Sequence, residues 1–108
     1  MRRTPALALL ALALALPVPA PAGDAQAGRQ KANACRTCHG IDGLAEIPIA
    51  PHLAGESEIY LETQLRNFRS GKRRHEMMSL VAAQLSDEDI ADLAAWYASI
   101  RIEVTLPD

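Results

Sequence analysis

Cysteine is nearly missing from this chain of 108 residues; there are two, Cys35 and Cys38. A disulfide framework of the kind that staples small exported domains is therefore excluded as the main source of stability. Long apolar runs are just as scarce. The single candidate, Ala6 to Leu16, is eleven residues of Ala and Leu, well short of the roughly 20 that a spanning helix needs. Pro17, Pro19 and Pro21 break up the residues just beyond it. An excess of positive charge is absent too. Beyond residue 22, nine Lys and Arg stand against thirteen Asp and Glu, a net charge of about −4 with histidine neutral. That balance argues against nucleic acid as a partner, because phosphate binding calls for a basic footprint. No segment shows a convincing period-2 strand, and nothing in the chain repeats.

What is present begins with a leader. Arg2 and Arg3 precede the apolar run, and the small-residue site Ala20-Pro21-Ala22 comes after it. That order predicts a secretory signal peptide over 1–22, cut after Ala22. The remaining residues, 23–108, form one small domain with a marginal core of its own, soluble and exported to the periplasm.

The pattern of this domain is all-α. Asp24 suits the cap of a first helix carrying Ala25, Gly28, Ala32 and Cys35 along one side. Gly28 inside a helix costs roughly 1 kcal/mol against Ala, which predicts a second helix crossing closely there. Gly40 to Ala54 is a loop, with Pro48 and Pro51 excluding regular helix. Ser57 and Glu58 open a helix with Leu61, Leu65 and Phe68 at helical spacing, ending at Gly71. A basic loop, Lys72-Arg73-Arg74-His75, leads to a short segment, Met77 to Leu85. Ser86-Asp87-Glu88-Asp89 is a capping box for a last helix bearing Ile90, Leu93, Tyr97 and Ile100, with Trp96 beside them.

The chemistry is concentrated in Cys35-Arg36-Thr37-Cys38-His39. Two thiols three positions apart, with histidine directly after the second, is the spacing of covalent haem c attachment. Each thiol can add across one vinyl group of the same porphyrin edge, which leaves His39 beneath the iron as a neutral imidazole ligand. The sixth iron position decides the function, since a strong protein ligand gives electron transfer and an open one gives ligand binding. Met77, Met78, His52 and His75 are the candidates. The reading favours one methionine as ligand and the other as packing, with the two histidines as bystanders.

Taken in order, several stretches resemble a class I cytochrome c, in particular one half of the dihaem periplasmic cytochromes c of bacteria. They are Cys35-Arg-Thr-Cys-His39-Gly40, Pro51-His-Leu53-Ala-Gly55, Tyr60-Leu61 with Gln64-Leu65, and Phe68-Arg-Ser-Gly71. Met78 with Ala82, Leu85-Ser86-Asp87 and Leu93-Ala-Ala-Trp-Tyr97 complete the series. The resemblance implies three to five helices around one covalent haem. It implies that the Pro51 carbonyl supports the second nitrogen of His39. The family's axial methionine lies seven residues before the leucine of Leu-Ser-Asp, which points to Met78, with Met77 as the fallback. It also implies that the terminal helices cross beside the haem, with Gly28 against the Leu93/Trp96/Tyr97 face. The departures are a single motif where the dihaem relatives carry two, and Trp96 where tyrosine is more usual.

These readings predict a one-electron carrier between periplasmic or respiratory redox proteins and not an enzyme by itself. The alternative is a haem c subunit of a larger periplasmic oxidoreductase, and a gas-binding haem protein with an open site is a third class. A thiol–disulfide oxidoreductase would need a strand leading into the motif, and zinc would lack ligands. Arg66, Arg69, Lys72, Arg73 and Arg74 form the candidate docking patch for a redox partner. Asp87, Glu88, Asp89 and Asp92 read as capping groups and a solvated face.

Overall fold

The computed structural model describes residues 1, 11–19 and 22–108. Arg2 and Arg3, the apolar run up to Leu10, and Ala20 and Pro21 of the expected cleavage site lie outside the described residues. All regular structure among the described residues is helical. Asp24 caps α1 (Ala25–Lys31), its carboxylate accepting from the Gln26 and Ala27 N–H groups at 2.8 and 3.2 Å. The first helix does not run on through Cys35 as expected. A 3-10 turn over Ala32–Ala34 intervenes, and a fresh helical turn, α2 (Arg36–His39), carries the motif. α3 spans Glu58–Ser70, with Ser57 Oγ accepting from Tyr60 N–H, and stops at Gly71. α4 is short, Met78–Ala83. α5 spans Asp87–Ser99, where Ser86 and Asp89 exchange side-chain-to-backbone bonds, each 3.0 Å long.

α5 is the centre of the fold; α1 and α3 both pack on it, and α4 packs on α3. Leu61 and Phe68 of α3, and Ile90, Leu93 and Tyr97 of α5, are buried, as the helical spacing predicts. Gly28 is where α1 crosses α5. A Cβ there would run into the Asp92 carbonyl, 2.6 Å from its carbon, and lie 2.9 Å from Trp96 Cβ. The close approach is therefore real, and the atoms nearest to Gly28 are those of Asp92, with Trp96 of the expected face beside them.

Asp92 corrects the sequence reading. Far from lying on a solvated face, it is 4% exposed. One carboxylate oxygen accepts the Asp24 N–H at 2.8 Å and the other takes Lys31 Nζ at 2.7 Å. Lys31 also pairs with Asp89 at 2.9 Å. The Lys31 ammonium and the Asp24 N–H hold the Asp92 carboxyl below its ordinary range, outweighing its desolvation. This cluster fastens the start of the helical domain to the last helix.

The polypeptide's own core is thin. Among the described residues, four of the nine buried hydrophobics are alanine, and Ile90 is the one large side chain wholly enclosed. Leu44, Ile49, Tyr60, Met77 and Leu80 are all about half exposed or more.

Candidate functional site

The motif turn is built by backbone bonds from Cys38 and His39 N–H to the Cys35 carbonyl, 3.3 and 2.9 Å long. Gly40 ends it at φ +74°, a left-handed conformation that side chains rarely adopt, and its carbonyl accepts the Tyr97 hydroxyl at 3.0 Å. The chain then folds back on the motif. Glu46 N–H donates to the Cys38 carbonyl at 2.8 Å, and Leu53 and Ala54 N–H both donate to the Gly43 carbonyl. His52 Nδ1 accepts the Ala45 N–H at 2.8 Å. The result brings the Pro51 carbonyl oxygen to 2.9 Å from His39 Nδ1.

A carbonyl can only accept, so Nδ1 carries the ring proton and Nε2 keeps a lone pair. His39 is buried, 8% exposed. Nε2 makes no hydrogen bond among the described residues, yet no buried side-chain nitrogen or oxygen is sealed in without a partner. It is a basic nitrogen held in one orientation at the protein's boundary.

The two thiols are unpaired and half-buried. Burial pushes the Cys35 thiol up, the Cys38 sulfur adds to this, and the adjacent Tyr97 hydroxyl partly offsets it. Redox-active Cys-x-x-Cys pairs instead lower the pKa of their attacking thiol. The environment of Cys35 is of the opposite kind. Burial likewise raises the Tyr97 hydroxyl, which keeps it a neutral donor to Gly40.

Met77 and Met78 lie on a separate element, at the start of α4. Met77 is 52% exposed, whereas Met78 is half-buried. No hydrogen bond joins this turn to the motif turn among the described residues. His75 is exposed, but its Nδ1 accepts from the N–H groups of Met77 and Met78 at 3.2 and 3.3 Å. His52 and His75, expected to be bystanders to the iron, each hold a loop backbone through the ring. Trp96 and Tyr97, apolar by their helical spacing, both also tie α5 to the motif loop, Trp96 Nε1 donating to the Ile41 carbonyl at 3.0 Å. Arg29 lies over the Trp96 ring, 5.7 Å from its centroid. An indole and a phenol next to each other beside a glycine-ended motif were the available signal, since buried rings of both kinds need acceptors.

The basic patch is partly consumed within the chain. Arg66 and Arg69 both pair with Asp87, at 3.1 and 2.6 Å. Arg73 donates to Gln64 Oε1 at 2.8 Å and lies over the Phe68 ring. Lys72 and Arg74 make no side-chain hydrogen bond or ion pair among the described residues.

Residues 23–96 match the family described as cytochrome c oxidase, cbb3-type, subunit III. The chain belongs to the cytochrome c family. It is 48% identical over 80 residues to cytochrome c-554(548) of Halomonas halodenitrificans, covering 71% of this chain and 96% of that protein. Among solved structures, reduced recombinant cytochrome c4 from Pseudomonas stutzeri superposes with a TM-score of 0.72 at 38% identity, covering 81% of this chain and 50% of the other. Thiosulfate dehydrogenase from Marichromatium purpuratum gives a TM-score of 0.68 at 34% identity, covering 84% of this chain and 22% of the other. The chain spans less than half the length of the curated cytochromes c4 that it matches; it resembles a single domain of them. Covalent haem c is the cofactor of this family, and Cys35, Cys38 and His39 fit its attachment motif.

The cytochrome's residues fit that group on their own terms. Two thiols share one helical turn with an imidazole whose free nitrogen is oriented by a carbonyl. A soft thioether stands half-buried on another element. The thin core and the exposed Leu44, Ile49, Tyr60 and Leu80 supply more apolar surface than the polypeptide covers by itself, and a flat apolar macrocycle is a suitable partner for it.

Proposed function

We propose that this chain is a monohaem c-type cytochrome that carries single electrons between periplasmic or respiratory redox proteins, and that it is not an enzyme by itself. Residues 1–22 act as the export signal and 23–108 form the functional domain. Cys35 and Cys38 hold the porphyrin through thioethers. His39 Nε2 and the Met78 sulfur are the axial ligands, with Met77 the fallback, and Pro51 supports His39. The bound iron supplies an Fe(III)/Fe(II) couple, whose potential follows from ligand identity and burial.

The observation that carries this reading is the 2.9 Å contact between His39 Nδ1 and the Pro51 carbonyl. It fixes the tautomer and makes the other nitrogen the better donor to a metal. The greater burial of Met78 supports it over Met77. Partner docking falls to Lys72 and Arg74, since internal pairs occupy the other three arginines of the patch.

The test is a visible spectrum of the reduced, exported protein together with its intact mass. One added haem and a low-spin spectrum that carbon monoxide does not alter at neutral pH are expected. A colourless product at the polypeptide's mass would overturn the proposal, and ready carbon monoxide binding would move the chain to the open-site class. The likeness to thiosulfate dehydrogenase favours a second reading, a haem subunit fixed within an oxidoreductase. Co-purification of a stable larger complex would select it.

A further inference from the structure

The methionine turn packs on α3 but has no cap of the usual kind. α4 is six residues long, too short to persist on its own propensity. Its first N–H groups have no intrahelical acceptor, and Met77, at the cap position, offers none. None of Ser, Thr, Asp or Asn, the common capping residues, stands at 75–77. The preceding residues 72–75 carry no regular helix.

We propose that His75 is the positioning residue for the axial methionine, its ring nitrogen acting as the missing helix cap. This role rests on the reading of Met78 as iron ligand. His75 Nδ1 receives both N–H groups, from Met77 and Met78. Backbone N–H can only donate, so Nδ1 is the lone pair and the ring proton is on Nε2. The bond is reciprocated: Ser79 Oγ accepts the His75 N–H at 3.0 Å, and Ser79 N–H donates to the His75 carbonyl at 2.9 Å. Side chain and backbone of residues 75 and 79 thus close a ring around the two methionines. This has the logic of a capping box, with imidazole in the place of a hydroxyl or carboxylate.

The consequence concerns a metal ligand directly. Fixing the Met78 nitrogen fixes where its side chain begins, and a ligating atom needs placing to within about 0.5 Å. Removing the acceptor leaves two N–H groups to water and frees the turn to swing away from the metal. The conformer with sulfur off the iron then becomes more populated, without any change in the ligands.

The experiment compares ferric holoprotein of wild type with His75→Ala, His75→Gln and His75→Asn. Two readouts are used: the weak sulfur-to-iron band at the red end of the visible spectrum, and the affinity for added imidazole, which competes for the methionine's place. Asparagine puts Oδ1 where Nδ1 was, and glutamine moves it one bond too far. His75→Ala and His75→Gln should bind imidazole about five- to ten-fold more tightly, the size of a lost cap, with a weaker band. His75→Asn should match wild type. Unchanged imidazole affinity in His75→Ala and His75→Gln would overturn the role, as would His75→Asn behaving like alanine. A wild-type ferric protein with no such band is a different result. It would overturn the methionine assignment itself and this role with it.

Discussion

Replacing Gly28 with alanine inverts the usual expectation for a helix. In an exposed helix the change stabilises by about 1 kcal/mol, since alanine loses less backbone entropy. Here the added methyl meets α5. Its Cβ would lie 2.6 Å from the Asp92 carbonyl carbon and 2.9 Å from Trp96 Cβ. To regain ordinary carbon–carbon spacing of about 3.5 Å, the helices must part by roughly 1 Å. The obstructing atoms are mainly backbone, so no rotamer change relieves them. Overpacking of this kind costs about 1–3 kcal/mol, and overlap with the Asp92 carbonyl oxygen and carbon, both backbone atoms, places it at the upper end. The crossing also carries the Asp92 pairs with Lys31 and Asp24, which separation strains further. A net loss of about 2 kcal/mol after crediting the helix propensity is expected. For a domain of this size that is a fall in Tm of about 8–16 °C. Thermal unfolding of the ferric holoprotein, monitored by circular dichroism, measures it, with exposed Gln30→Ala as a control that should shift little. A Gly28→Ala protein as stable as wild type, or more so, would refute the geometry of the crossing.

Met78→Ala should abolish the sulfur-to-iron band and lower the midpoint potential, whereas Met77→Ala leaves both near wild type; the reverse pattern in spectra and redox titration would reassign the ligand. Cys35→Ala and Cys38→Ala should each reduce the fraction of chain carrying covalent haem, read as intact mass after acid–acetone extraction. The Asp92 carboxyl is depressed in the folded state, so its stabilisation is complete above the unfolded value of about 3.9 and is lost as pH falls below it. Asp92→Asn should therefore be less stable than wild type in denaturant at pH 7, and the gap between the two curves should narrow below about pH 4. Lys72→Gln with Arg74→Gln should slow association with an acidic redox partner at low salt and flatten the salt dependence; an equal rate in stopped-flow kinetics would remove the patch from docking.

Much of the fold is legible in the sequence because its signals are local. Asp24, Ser57 and Ser86 mark helix starts by side-chain chemistry, and Gly71 marks an end, without reference to the rest of the chain. The Cys35 to His39 motif is legible for the same reason, since its spacing is set by one turn. What escapes are partners far apart in sequence. Asp92 shares a helix with three capping acids, so charge alone places it with them; only the crossing at Gly28 shows that its face turns inward toward Lys31. Arg66 and Arg69 read as a free basic patch because Asp87 lies some twenty residues on. His52 and His75 read as candidate ligands set aside as bystanders, since acceptance of a backbone N–H by an imidazole leaves no sequence pattern as regular as serine at a cap.

The packing of α1 on α5 sets an order of assembly. α1 is seven residues, far below the length at which a lone helix persists, and the surface it needs is made from residues near the other end of the chain. α5 also brings Tyr97 down beside the Cys35 thiol. A nascent polypeptide emerging amino end first thus presents Cys35 and Cys38 while the domain is still open, and half-covers them only once α5 arrives. A chain that folded first would offer an incoming cofactor two half-buried sulfurs in place of open ones.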